Sequence, residues 1–189
     1  MRTLVALVLV GMLGACASSA NAPAGNALAI APRTVWIVGQ DGRSIGQARF
    51  SEAPNGVLIR LEFSQAGLTA GWHGLHLHQK GDCSDFAQGF HASGGHIGMS
   101  AHVMHGLLNP RGPEAGDLPN LLAAPAPPYG AELLDPHVTL APTALGDRQP
   151  LLDADGSALI VHAAPDDHTS QPIGNAGARV ACAALTPLP

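Results

Sequence analysis

The stretch GLHLHQKGDC, residues 74–83, places histidines at positions 76 and 78. Residues two apart on a β-strand point to the same face, so His76 and His78 present two imidazoles toward one point. Imidazole is a general ligand for transition metals, which makes the pair the start of a metal site; two histidines on the solvent face of a strand are the plain alternative. Their company favours the metal. Downstream segments GFHASGGHIG (89–98), HGLLNPRGPEAGDLPN (105–120), ALIVHAAPDD (158–167) and GNAGARVAC (174–182) set more histidines, carboxylates and one arginine beside turn-forming glycines.

The elements that position these residues read as β-strands. Glycine (23) and proline (16) are abundant, aromatics are few, and the apolar runs are short and punctuated, which favours a loop-rich all-β domain. Strands are expected at about 33–40, 45–51, 56–63, 72–78, 130–140, 157–163 and 177–185, separated by turns such as Asp41-Gly42 and Pro54-Asn55-Gly56. The fourth carries the histidine pair, and the run Leu159–Val161 would hold His162 rigidly opposite it. From 79 to about 120 the periodicity disappears, and a loop of that length inside a compact domain is usually functional. A second loop spans 164–176. About eight strands in all point to a Greek-key barrel or flattened sandwich with long metal-binding and active-site loops. Trp36 and Trp72 read as barrel packing, and His73, His137 and His168 as structural or solvated. A formal charge of −5 argues against a phosphate-tracking surface and so against nucleic acid as a partner.

Together these segments resemble the copper/zinc superoxide dismutases, in particular their exported bacterial branch, over roughly residues 33–186. The resemblance implies an enzyme that converts superoxide to oxygen and hydrogen peroxide by Cu(II)/Cu(I) cycling. It implies copper ligation by His76, His78, His96 and His162, with His96 bridging to zinc and lending a proton, and Arg179 holding the superoxide anion. Asp166 matches the aspartate that orients one histidine of each metal. The family segment around the bridging residue is typically Ala-Gly-Gly-His-Phe-Asn-Pro; Ser93-Gly94-Gly95-His96 matches its first half, and His91 is a rival.

The zinc side departs from the pattern. His96, His105 and Asp117 fall on matching positions, but Glu114 stands where a third histidine is expected. Three readings stay open: Glu114 ligates zinc, zinc is weak or lost, or a loop histidine such as His102 substitutes. Ile173 replaces a threonine that borders the family's substrate channel. These departures support an alternative function, a non-catalytic copper-binding or copper-handling lipoprotein with a degraded zinc site; an anion-binding arginine speaks for the enzyme.

Residues 1–22, MRTLVALVLVGMLGACASSANA, join an arginine to a short apolar run and then small residues, the pattern of a secretory signal. Leu13-Gly14-Ala15-Cys16 resembles a bacterial lipobox, in which Cys16 becomes the lipidated first residue; cleavage after Ala22 is the alternative. Residues 23–32 read as a tether and 33–189 as the domain. With Cys16 assigned to the lipid, Cys83 and Cys182 remain for a disulfide in an oxidising compartment. The expected location is the periplasm, with the only membrane contact a lipid anchor in the outer membrane. Oligomeric state is not legible.

Overall fold

The structure, a computed structural model, describes residues 30–187; the signal segment, Cys16 and most of the tether lie outside them. Eleven strands run in chain order: β1 Arg33–Gly39, β2 Ser44–Ala53, β3 Gly56–Phe63, β4 Gly71–His73, β5 Leu75–His78, β6 Leu121–Ala123, β7 Tyr129–Asp135, β8 Val138–Thr139, β9 Gln149–Pro150, β10 Ser157–His162 and β11 Arg179–Leu185. Seven form one sheet in the order β5-β10-β11-β1-β2-β3-β7, antiparallel throughout. β6 pairs antiparallel with β4 and lies against β7. Only Gly74 separates β4 from β5, so the sheet curls into a ring of about eight positions. The chain leaves β3, crosses to the far side and returns at β7 beside β3, a Greek-key path. The short parallel pair β8–β9 stands apart.

Period-two alternation builds the core. Ile37, Ala48, Phe50, Ile59, Leu61, Phe63, Leu75, Leu77, Leu159, Val161, Ala181 and Ala183 fill the barrel. Burying each large aliphatic side chain contributes about 1.5–3 kcal/mol. On β5 the leucines take the inner face, which turns His76 and His78 outward. A one-residue slip would exchange leucines for histidines in the core, so the same burial that stabilises β5 fixes the histidines' direction. On β10, Ala158, Ile160 and His162 also face outward, and a second apolar cluster of Phe90, Ala158, Ile160 and Cys182 seals that face.

Three differences from the sequence reading stand out. The strand expected at 72–78 breaks at Gly74, whose N–H donates to Ala164 and whose carbonyl accepts from His162; a Cβ there would sit 2.7 Å from that of Ala176. β6 was not expected, because three residues flanked by prolines show no usable periodicity. Trp36 and Trp72 do not pack the barrel: they are 68% and 55% exposed, since alternation places both on outward positions of β1 and β4.

Candidate metal centre

The centre sits on the outer face of β5 and β10, under the loop 79–120. That loop docks on the free edge of β5: Leu77 N–H donates to Gly116 O (2.8 Å), Ile97 N–H to Leu77 O (2.9 Å) and Gln79 N–H to Gly95 O (2.9 Å). The docking sets His96 opposite His78 and Asp117 opposite His76. A register shift between Val161 and His162 re-aims His162 at the end of β10. His105 is tied to the second loop, its N–H donating to Gln171 Oε1 (3.1 Å) and its carbonyl accepting from Gln171 Nε2 (2.8 Å).

Two buried clusters result. His76, His78, His96 and His162 can bring one ring nitrogen each within 4.8 Å of the others, and so can the ligand atoms of His96, His105, Glu114 and Asp117. In the first cluster every ring uses one nitrogen as a hydrogen-bond donor. His76 Nε2 meets Asp166 Oδ2 (2.9 Å), His78 Nδ1 meets Gly94 O (2.9 Å), and His162 Nδ1 meets Gly177 O (3.0 Å). His96 Nδ1 meets Glu114 Oε2 (2.9 Å). The opposite nitrogens, His76 Nδ1, His78 Nε2, His96 Nε2 and His162 Nε2, are buried without any partner. A buried polar atom left unpaired costs about 1–3 kcal/mol, so four converging in one place fit a metal that supplies the missing bond. All-imidazole ligation suits copper in either oxidation state.

The second cluster is mixed. His105 Nδ1 meets Asp117 Oδ1 at 2.7 Å, and His96 Nδ1 lies 3.4 Å from the same oxygen. A tetrahedral ion with bonds of about 2.0–2.1 Å separates its ligands by about 3.3 Å, so this spacing needs little change to hold zinc. Glu114 is a full member, 4% exposed. His102 and His91 are exposed and belong to neither cluster.

Asp166 joins the two. Its carboxylate accepts from His76 Nε2 through Oδ2 and stands 3.2 Å from His105 Nε2 through Oδ1. Gly174 adopts φ +58°, and any Cβ there would collide with Asp166 Oδ1, so glycine leaves room for the carboxylate. Asn120, which no sequence pattern singled out, clamps Asp166 from both sides of its backbone: Asp166 N–H donates to Asn120 Oδ1 and Asn120 Nδ2 to Asp166 O, each at 2.8 Å.

The two clusters differ in electrostatics. Burial lowers His76 to about 4 and His162 to about 3, and holds His78 well below its ordinary value; all three are neutral and ready to donate lone pairs. Burial also opposes protonation of His105, but hydrogen bonds and charge from Asp117 and Asp166 overcome it and raise the ring to about 10. His96 is raised in the same way by Asp117 and Glu114. Asp117 and Asp166 lie well below the usual carboxylate range: burial pushes them up, and their histidine partners more than reverse it.

Arg179 opens β11 directly opposite His162 in register. Its charge lowers both His78 and His162. The guanidinium donates to Phe90 O (2.9 Å), Ser93 Oγ (3.0 Å) and Gly94 O (2.9 Å). A disulfide between Cys83 and Cys182, with Cα atoms 5.9 Å apart, ties the loop to the middle of β11. Ile173 is half-buried in the second loop.

A curled antiparallel β-barrel whose outer face carries an imidazole quartet and a mixed imidazole–carboxylate cluster, sharing one ring, defines a two-metal protein. Residues 44–185 match the model of the copper/zinc superoxide dismutase family, and the chain belongs to that family. The Cu-Zn superoxide dismutase of Caulobacter vibrioides is 48% identical over 152 residues, covering 80% of this chain and 84% of that protein. Cu-Zn superoxide dismutase 1 of Aquifex aeolicus is 40% identical over 146 residues, covering 77% and 82%. The crystal structure of a doubly substituted SOD-like protein from Bacillus subtilis superposes with a TM-score of 0.71 at 34% identity, covering 81% and 96%.

Proposed function

We propose that this protein is a copper- and zinc-dependent superoxide dismutase in which His76, His78, His96 and His162 hold copper and His96, His105, Glu114 and Asp117 hold zinc. The observation that carries the assignment is the convergence of four buried, partnerless imidazole nitrogens beside Arg179. Copper held there would supply the one-electron exchange by which two superoxide ions and two protons become oxygen and hydrogen peroxide. The protein's part is position and charge. Arg179 offsets the negative charge of an arriving anion and is oriented by three acceptors. His96 turns Nε2 toward one cluster and Nδ1 toward the other, so its Nε2 is placed to hold a proton and release it to the reduced product. Asp166 keeps His76 and His105 oriented by accepting from their outer nitrogens.

Arg179 also weighs against a purely copper-sequestering role, because storage needs no anion-binding group beside the imidazoles. The signal segment supports export to the periplasm, with Cys16 lipidated and the anchor in the outer membrane, residues 23–32 serving as tether and 33–189 as the enzyme domain. The test is copper loading of a His76→Ala, His78→Ala double variant, followed by superoxide consumption. Loss of stoichiometric copper and of activity is expected; full activity would refute the ligand set.

A further inference from the structure

The hydroxyl of Ser93 is completely buried, at 0% exposure, and stands between the two groups that face an incoming anion. It donates to Phe90 O at 2.7 Å, which turns its lone pairs outward; one accepts Arg179 Nη1–H at 3.0 Å. The same oxygen lies 3.4 Å from His78 Nδ1. Gly94 O is shared as well, accepting from His78 Nδ1 and from Arg179 Nη2, each at 2.9 Å. The guanidinium is thus gripped by one side-chain oxygen and two carbonyls of a single short segment, and that segment also orients a histidine of the imidazole quartet. A carbonyl alone can pin one corner of a guanidinium. Phe90 O and Gly94 O hold one Nη each; Ser93 Oγ adds a second acceptor on Nη1 and is the only side-chain acceptor of the three, so it is the one a substitution can remove.

We propose that Ser93 is a positioning residue for anion binding: its hydroxyl fixes the orientation of Arg179 relative to His78, and its loss loosens the arginine's hold on a small anion without disturbing the metal. The inference rests on Arg179 being the anion-binding group. Ser93→Ala is a mild change to the fold, because Phe90 O keeps the Arg179 Nη1 and Ser93 backbone N–H donors.

The test uses copper- and zinc-loaded protein and azide as the anion, followed through its absorption with Cu(II). Four proteins are compared: unmodified, Ser93→Ala, Arg179→Ala and the double variant. Copper content and the Cu(II) resonance spectrum confirm that the metal is unperturbed, and thermal unfolding confirms the fold. Azide affinity should fall about fivefold in Ser93→Ala, on the order expected when a charged group is misplaced by a fraction of an ångström. It should fall further in Arg179→Ala, and adding Ser93→Ala to Arg179→Ala should change nothing more. Unchanged azide affinity in Ser93→Ala, with Arg179→Ala weakened, overturns the role of Ser93 and leaves Arg179 standing. An equal loss in both backgrounds overturns it too, since Ser93 would then act through His78 or the metal. Unchanged affinity in Arg179→Ala itself removes the assignment beneath the inference. Should Ser93→Ala fail to load copper, the role as a positioning residue for the arginine is likewise overturned.

Discussion

Zinc binding should be steeply dependent on pH, and Glu114 should set the slope. In the metal-free protein His105 is raised to about 10 and carries a proton at neutral pH, while His96, raised by Asp117 and Glu114, holds a proton more readily than a free imidazole. Zinc needs both Nδ1 lone pairs and must expel the proton on His105 together with any proton on His96. For His105 alone, deprotonation at pH 7 costs roughly 3 pKa units, about 4 kcal/mol or a thousandfold in affinity. Apparent zinc affinity should therefore rise about tenfold per pH unit for each proton released, between tenfold and a hundredfold per unit from pH 6 to 8. Zinc occupancy should be lower in protein isolated at pH 6 than in protein isolated at pH 8. The copper site offers the contrast: His76 near 4 and His162 near 3 are already neutral, leaving only shared His96 to lose a proton, a gain of at most about tenfold per unit. Glu114→Gln removes a ligand charge and should weaken zinc at pH 8 by about 10²- to 10³-fold, taking a four-ligand site's roughly 10–16 kcal/mol as shared, while flattening the slope toward one proton. Glu114→His supplies a nitrogen and removes a carboxylate that holds the proton on His96, so it should tighten zinc at pH 6. Competition with a chromogenic chelator at pH 6, 7 and 8, counting copper and zinc separately, gives all these numbers. A zinc affinity that does not change with pH, or Glu114→Gln binding zinc as tightly as the unmodified chain, would refute the reasoning.

Asp166→Ala should weaken both metals by about 10- to 100-fold, because it frees His76 and His105 together; loss of one metal alone, measured by elemental analysis after dialysis, would show that it serves a single site. Cys83→Ser should lower unfolding free energy by up to about 4–5 kcal/mol, the chain-entropy value for cysteines 99 residues apart, and denaturant titration under non-reducing conditions would reveal a negligible change if the bridge were idle. Asp135, buried with Oδ2 unpartnered, is pushed by burial up to about 7. Between about pH 4 and 7 its native carboxyl keeps a proton that the unfolded chain has lost, so stability falls as pH rises through that window, by up to about 4 kcal/mol. Asp135→Asn should stabilise the protein at pH 8 and not at pH 4, and equal effects at both would contradict the shift. Mass spectrometry of the exported chain should find Cys16 acylated at the N-terminus; a chain beginning at residue 23 without lipid would refute anchoring.

Much of the architecture was legible because it is local. Alternation of Leu75, His76, Leu77 and His78 determines by itself that two imidazoles share a face opposite two core leucines, since the period of a strand allows no other division. Short apolar runs between turn residues likewise carried the all-β class, and the order of the histidine, arginine and cysteine motifs carried the family. Tertiary structure decided what depends on contacts distant in sequence. The sequence favoured His96 over its rival His91 on the two glycines before it, but only the docking of the loop on the edge of β5 sets His96 opposite His78 and leaves His91 in solvent. Glu114 lies within reach of His96 only because the chain from 105 to 117 folds back on itself around Asp117. The clamp of Asn120 on Asp166 and the grip of Ser93 on Arg179 span 46 and 86 residues. The outward turn of Trp36 and Trp72 had the same kind of cause: an aromatic residue suits a strand on either face, and only the curl of the sheet determined which face was inside.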